Sequence, residues 1–230
     1  MAFVTEYTCN GCGLELVSED RMFRWDGESG MTEDFLLLMN ICQKLNGAEI
    51  IGDVSETYCR DCEKYVKVYS ITEVLDGIDN PCEAVMDGIK SHIDEYGRRL
   101  DELKDIRERS DYTIVKEGNH YVVRIPEYEP FYYSNYLFPQ MSEEEVIRDA
   151  LKDFHEEIDE VIESHEKRYQ RYVSSSYLVV DDTDRPKGKF DLSEKVKCPE
   201  CASKINKHVD GKLPCPRCGG SIIGFGICYD

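Results

Sequence analysis

Eight of the eleven cysteines arrive as four Cys-x-x-Cys pairs: Cys9/Cys12, Cys59/Cys62, Cys198/Cys201 and Cys215/Cys218. Two intervening residues bend the backbone into a tight knuckle whose two sulfurs face one point. Two knuckles together complete a tetrahedron with metal–sulfur bonds near ~2.3 Å. The start of the chain, Met1-Ala2-Phe3-Val4-Thr5-Glu6, carries no basic stretch followed by an apolar run. A cytoplasmic, reducing setting is therefore expected, and there such pairs hold metal ions rather than disulfides. The expectation is Zn at two sites of four cysteines each. Only thirteen residues separate Cys201 from Cys215, which favours closure of one site within the C-terminal end. Cys12 and Cys59 lie forty-six residues apart, so closing the other site within the N-terminal end requires an inserted helix. The alternative joins N-terminal knuckles to C-terminal ones across the fold.

Cys198-Pro199-Glu200-Cys201 and Cys215-Pro216-Arg217-Cys218-Gly219 resemble the paired knuckles of the zinc-ribbon superfamily, with Ala202 where a glycine is usual. The resemblance covers about the last 35 residues, and Cys9-Asn10-Gly11-Cys12-Gly13 with Cys59-Arg60-Asp61-Cys62 extends it to the N-terminal end. It implies zinc held by the four cysteines of each module. It does not name a function, because ribbons serve transcription, translation and many adaptors. Cys215-Pro216-Arg217-Cys218-Gly219 also looks like a rubredoxin knuckle, which keeps iron and electron transfer as a further alternative. Cys42 and Cys82 fall on helical apolar faces as small core residues.

The elements that must position these sulfurs are short strands, at 3–8 and 14–17 around the first pair and at 48–51 and 64–70 around the second. A helix from Thr32 or Glu33 to Leu45 is expected between the pairs. Asn80-Pro81 is an N-cap followed by proline at the first helical position, and apolar residues recur from Cys82 to Leu103 at three- and four-residue steps. Ser142 with Glu145 forms a capping box for a second long helix, whose stripe runs Ile147, Leu151, Phe154, Ile158, Val161 and His165, with Tyr172 one heptad further. The fold class expected is α+β: N- and C-terminal four-cysteine zinc-ribbon-like β modules flanking a long antiparallel helical hairpin with a small β-hairpin insertion. The corresponding domains are 1–72, 73–180 with a β/aromatic insertion over 111–140, a linker over 181–192, and 193–230.

No catalytic constellation emerges. His155-Glu156-Glu157-Ile158-Asp159 begins like a zincin helix but has Asp159 where the second histidine would stand. Positions 152 and 162 are Lys and Ile, so the Glu-x-x-His pairs of di-iron bundles are missing as well. The acidic helix faces read as solvated surface, and the chain is expected not to be an enzyme, with no small-molecule substrate evident. The longest apolar cluster, Phe35–Met39, is too short to span a bilayer.

Two candidate contact surfaces remain. Tyr128, Phe131, Tyr132, Tyr133, Tyr136 and Phe138 place six aromatics in eleven residues, bracketed by prolines, either capping the helices or meeting a protein partner. The net charge is −19, yet residues 185–218 hold nine Lys/Arg against four Asp/Glu. Arg185, Lys187, Lys189, Lys204, Lys207, Lys212 and Arg217 are therefore candidate RNA or ribosome contacts, while the acidic remainder repels phosphate. The leading expectation is a zinc-binding adaptor or regulatory accessory protein acting through protein–protein contacts.

Overall fold

A computed structural model describes residues 2–17, 21–34, 48–118, 120–126, 128–134, 142–184, 194–209 and 212–229. Two compact units emerge: residues 1–93 together with 173–230, and residues 94–172. The class is mixed α and β, with two helices and several sheets among the described residues.

The first unit is built on a five-stranded sheet of β3 (Arg21–Asp26), β4 (Gly30–Asp34), β5 (Ile50–Cys59), β6 (Lys64–Val74) and β10 (Ser176–Asp181). Its strand order is β10-β6-β5-β3-β4, antiparallel except for the β10–β6 pair. β5 and β6 are rich in Val, Ile, Tyr and Thr, the residues that suit a pleated, two-sided burial. One face gathers Phe23, Val54, Tyr69 and Ile71 into a core closed by Val85 and Ile89 from α1 (Pro81–Glu108). A register shift at Ile51/Gly52 keeps Ile71 and Val74 on that same face despite their odd spacing. The opposite face carries Val66, Val68, Leu178 and Val180, packed against Val196 and Ile205 of the hairpin β11 (Lys195–Lys197) and β12 (Lys204–Asn206). The two ends of the chain also meet. β1 (Ala2–Cys9) pairs along its whole length with β13 (Ile222–Tyr229), and on its other edge with β2 (Glu15–Val17).

In the second unit, β7 (Thr113–Glu117), β8 (His120–Arg124) and β9 (Phe131–Ser134) form an antiparallel sheet. Val123 and Ile125 join Ala150, Phe154 and Ile158 of α2 (Glu143–Ser174) in its core. The part of α1 within this unit meets α2 through long side chains. Arg107 pairs with Asp159 at 2.6 Å and Lys104 with Glu166 at 2.6 Å, while the Tyr96 ring lies 5.5 Å from both His165 and Tyr172. Numbers fall along one helix as they rise along the other, so the two run antiparallel over this stretch.

Several expectations need correction. Separate ribbon modules at the two ends do not form: the β1–β13 ladder joins them, because strand pairing over eight residues satisfies backbone groups that a lone end-module would leave open. The helical stripes are spent on each other only in part, where Tyr96 meets His165 and Tyr172. α1 first covers the five-stranded sheet and α2 first covers β7–β9, since each sheet offers a broad apolar face that a neighbouring helix must close. The most buried positions of α2 are Val146, Ala150, Phe154, Ile158 and Tyr172: Phe154 and Ile158 lie on the expected stripe and Tyr172 continues it, whereas Val146 and Ala150 are buried in place of Ile147 and Leu151. Residues 32–34 are strand, not the start of a helix, and the remainder of that expected helix, with Cys42, lies outside the described residues. The expected linker lies mostly outside them too. No described helix is long and apolar enough to cross a membrane.

Candidate metal centres

Three of the four knuckles share one hydrogen-bond pattern, and all four share a left-handed residue after the second cysteine. In that pattern the first cysteine's backbone N–H donates to the carbonyl five residues on, and the residue four positions on donates back to the first cysteine's carbonyl. Cys9 N–H to Leu14 O at 2.9 Å and Gly13 N–H to Cys9 O at 2.9 Å show the pattern, repeated at Cys198/Ser203 with Ala202 and at Cys215/Gly220 with Gly219. The returning residue sits in the left-handed region in every case: Gly13 at φ 66°, Glu63 at 55°, Ala202 at 60° and Gly219 at 75°. Each knuckle tops a defined element. Cys9/Cys12 joins β1 to β2, Cys59/Cys62 joins β5 to β6, Cys198/Cys201 joins β11 to β12, and Cys215/Cys218 precedes β13.

The knuckles combine across the chain. Cys9, Cys12, Cys215 and Cys218 form one group, and Cys59, Cys62, Cys198 and Cys201 the other, with the sulfurs of each group all within 4.8 Å. This overturns closure within each end and selects the alternative. The cause is the sheet framework: the β1–β13 ladder brings the first knuckle to the last. Packing of β11–β12 on the β5–β6 face brings the second to the third.

The spacing tests what the groups can hold. Sulfur–sulfur distances are 3.5 Å for Cys9/Cys218, 3.7 Å for Cys12/Cys215, 3.5 Å for Cys59/Cys201 and 3.6 Å for Cys62/Cys198. A tetrahedron with bonds of ~2.3 Å has edges of ~3.8 Å, so these values fit a four-thiolate ion. They are far from the ~2.05 Å of a disulfide. In each group one sulfur is exposed, one half-buried and two are buried. Amide donors point at the sulfurs: Gly11 N–H to Cys9 Sγ and Gly220 N–H to Cys218 Sγ, both 3.4 Å. Glycine at position 220 also leaves room beside the sulfurs: a Cβ there would stand 3.3 Å from Cys218 Sγ, a tight contact, and 3.6 Å from Cys9 Sγ.

Held by protons alone, the sulfurs of each group split. Burial raises Cys9, but the Gly11 and Cys12 amides and the Cys218 and Cys215 thiols bring it down to about 6. The Leu14 amide lowers Cys12, yet burial and its three sulfur neighbours push it up to about 12. In the second group, Ser203 and the Cys59 thiol draw Cys201 down to about 7, while burial and the other three thiols push Cys62 to about 12. Four sulfurs this close cannot all ionise without a cation among them, so binding a metal must displace protons.

The other candidate residues are distributed unevenly. Tyr128, Phe131 and Tyr133 are half-buried against the Val123/Phe154/Ile158 cluster, with the Phe131 and Phe154 rings 5.7 Å apart, whereas Tyr132 is 60% exposed. Tyr136 and Phe138 lie outside the described residues, as do Arg185, Lys187 and Lys189. Lys207 is fully buried, its ammonium paired with Asp182 and with Glu194 at 3.4 Å, so it is spent inside the fold. Lys204, Lys212 and Arg217 are exposed, and the Arg217 guanidinium stands 5.7 Å over the Tyr58 ring. His165 is a packed helix residue, its ring stacked on Tyr96 and its Nδ1 3.0 Å from the Val161 carbonyl.

Sequence reasoning passed over Arg60 and Lys195. Together with Lys204 and Arg217 they line two cavities beside the sulfurs, of about 400 and 190 Å³. The signal of Arg60 was legible: like Arg217 it occupies a variable position inside a knuckle, and both are exposed. Comparison with family models, curated proteins and solved structures gave no match to this chain.

Proposed function

We propose that this chain is a non-catalytic, zinc-stapled adaptor that meets protein partners through its aromatic segment. The observation that carries the reading is the pair of four-cysteine groups. Four thiolates fill a tetrahedral ion's coordination and leave no open position for substrate or water, which is the arrangement of structural rather than catalytic zinc. Each group joins segments more than 130 residues apart in sequence, so the metals would fix the mutual placement of β1–β2, β5–β6 and β11–β13. A scaffold so held can present side chains without moving, which lowers the ordering cost of binding. Tyr132, exposed at the edge of β9 beside half-buried Phe131 and Tyr133, supports the aromatic segment as the contact. Tyrosine buries a large area at small entropic cost.

Elemental analysis tests the metal half: two zinc ions per chain in a colourless protein are expected. Iron in place of zinc would transfer the case to the rubredoxin-like alternative. The contact half is tested by Tyr132→Ala in the full chain, isolated from its native cytosol. Loss of co-purifying protein with metal content and thermal midpoint unchanged is the expected result. Unchanged co-purification removes the aromatic segment from the contact.

A further inference from the structure

Many of the lysines and arginines described elsewhere are matched to a carboxylate: Arg98, Lys104, Arg107, Arg109, Arg124, Lys152 and Lys167 in the second unit and buried Lys67 and Lys207 in the first all make ion pairs. Beside the metal centres Lys64 pairs with Glu200 at 3.4 Å, but four other cations do not. Arg60, Lys195, Lys204 and Arg217 are exposed and make no ion pair among the described residues, in a chain with 47 acidic residues against 28 basic ones. They are not scattered. Arg60 and Arg217 line the cavity of about 400 Å³ beside Cys12 and Cys218, and Arg60, Lys195 and Lys204 line the cavity of about 190 Å³ beside Cys59. Tyr58 and Arg60 belong to both, so the two cavities adjoin in one face spanning both centres, on which four cations stand against two carboxylates, Glu63 and Asp61, the latter accepting from Ser203 Oγ.

We infer that this face binds the phosphate backbone of a single-stranded RNA. Guanidinium forks and ammonium groups are the donors that phosphate oxygens take, and two arginines with two lysines can meet successive phosphates of a flexible strand. The neutral Asn206, in the smaller cavity, adds a polar group suited to ribose hydroxyls. An acidic peptide carries the same sign of charge, but peptides gain affinity from apolar anchors filling pockets. Of the apolar side chains here, Tyr58 and Ile205 are only 5% and 7% exposed and Pro216 is half-buried, so the face holds no deep apolar pocket for an anchor. A phosphodiester strand draws its affinity from counterion release and needs cations alone. The acidic remainder of the chain repels a wide duplex more than a narrow strand that touches only this face.

A four-thiolate divalent ion keeps two negative charges, so these cations also stand where they could merely offset the centres. The experiment separates the two roles and does not depend on any protein partner. The full, zinc-loaded chain is titrated with fluorescein-labelled twelve-nucleotide oligouridylate, and in parallel with a labelled twelve-residue oligoglutamate. Oligouridylate binding is expected, weakening on the order of 50-fold between about 50 and about 200 mM salt for four phosphate contacts. The double variant Lys195→Ala/Lys204→Ala, on strands rather than in knuckles, should weaken it at least about tenfold with both zinc ions retained, and Arg60→Glu should do the same. Arg99→Glu, in the other unit, should leave it unchanged. Absence of binding at the lower salt overturns the inference, as does binding indifferent to Lys195→Ala/Lys204→Ala. Variants that lose zinc to a chelator more readily while RNA binding stays intact reduce the cations to charge compensation. Equal or tighter binding of oligoglutamate, lost in the same variants, reassigns the face to acidic peptides.

Discussion

The returning residue of a knuckle pays for its left-handed backbone unless it is glycine, and this chain uses glycine in two of four places. Gly13 and Gly219 adopt φ of 66° and 75° without penalty, whereas Ala202 and Glu63 hold 60° and 55° with a side chain attached. A non-glycine residue in that region costs about 1–2 kcal/mol, and glycine's extra freedom in the unfolded chain returns about 0.5–1 kcal/mol of the difference. Ala202→Gly is therefore expected to stabilise the zinc-loaded protein by about 0.5–1 kcal/mol, read as a higher denaturant midpoint at unchanged slope. A lower midpoint would show that the Ala202 methyl makes contacts worth more than its strain. At this scale the sequence was largely legible, because the knuckle is made by its own five residues. Cys-x-x-Cys-Gly announces itself at 9–13 and 215–219. What could not be read was the same backbone at Glu63 and Ala202, where the fold imposes a conformation that the residue type disfavours.

Elements were legible where their signals are local and lost where they depend on cover. Asn80-Pro81 and the Ser142/Glu145 capping box start α1 and α2, and the box is formed: Ser142 N–H and Oγ each lie 2.8 Å from Glu145 Oε2, and Glu145 N–H 3.3 Å from Ser142 Oγ. β3 and β4 gave no such signal. Arg21, Arg24 and Asp26 interrupt β3, and its apolar positions Phe23 and Trp25 make sense only beneath α1. That packing depends on Gly88: a Cβ there would stand 2.7 Å from Trp25 Cδ1 and 3.1 Å from Met31 Cβ. Alanine is the better helix former by about 1 kcal/mol, but overpacking against a ring costs about 1–3 kcal/mol. The clash is expected to win, so Gly88→Ala should lower stability by about 1 kcal/mol. Because Trp25 is the sole tryptophan, its emission reports the site directly, and the expected shift marks displacement of the ring from α1. Unchanged emission with raised stability would mean that the helix moves aside at no cost.

At the scale of the molecule, the knuckles' partners could not be read from spacing, because spacing fixes how two sulfurs converge but not which other two they meet. That choice belongs to contacts made across nearly the whole chain, above all the pairing of Ala2–Cys9 with Ile222–Tyr229. The consequence can be counted in metal ions. If knuckles closed within each end, Cys9→Ser with Cys215→Ser would damage two centres, and Cys9→Ser with Cys59→Ser only one. The observed grouping reverses both results: Cys9 and Cys215 share a centre, and Cys9 and Cys59 do not. Metal analysis, or the thiolate absorption of the cobalt-substituted protein, should find one ion per chain in the first double variant and none tightly held in the second. The arrangement also sets the order of events in folding. Neither centre has its four ligands until the chain extends past Cys201 for one and past Cys218 for the other, so a chain ending at residue 192 has half of each site. Binding energy that a structural ion contributes to folding, on the order of 10 kcal/mol per site, thus arrives only at completion. In the single variant Cys218→Ser the loss should fall on the β1–β13 ladder first, and hydrogen exchange is expected to show those amides opening while the β5–β6 ladder, tied by the other centre, stays protected. Uniform loss of protection across both ladders would instead mean that the two centres support one indivisible unit.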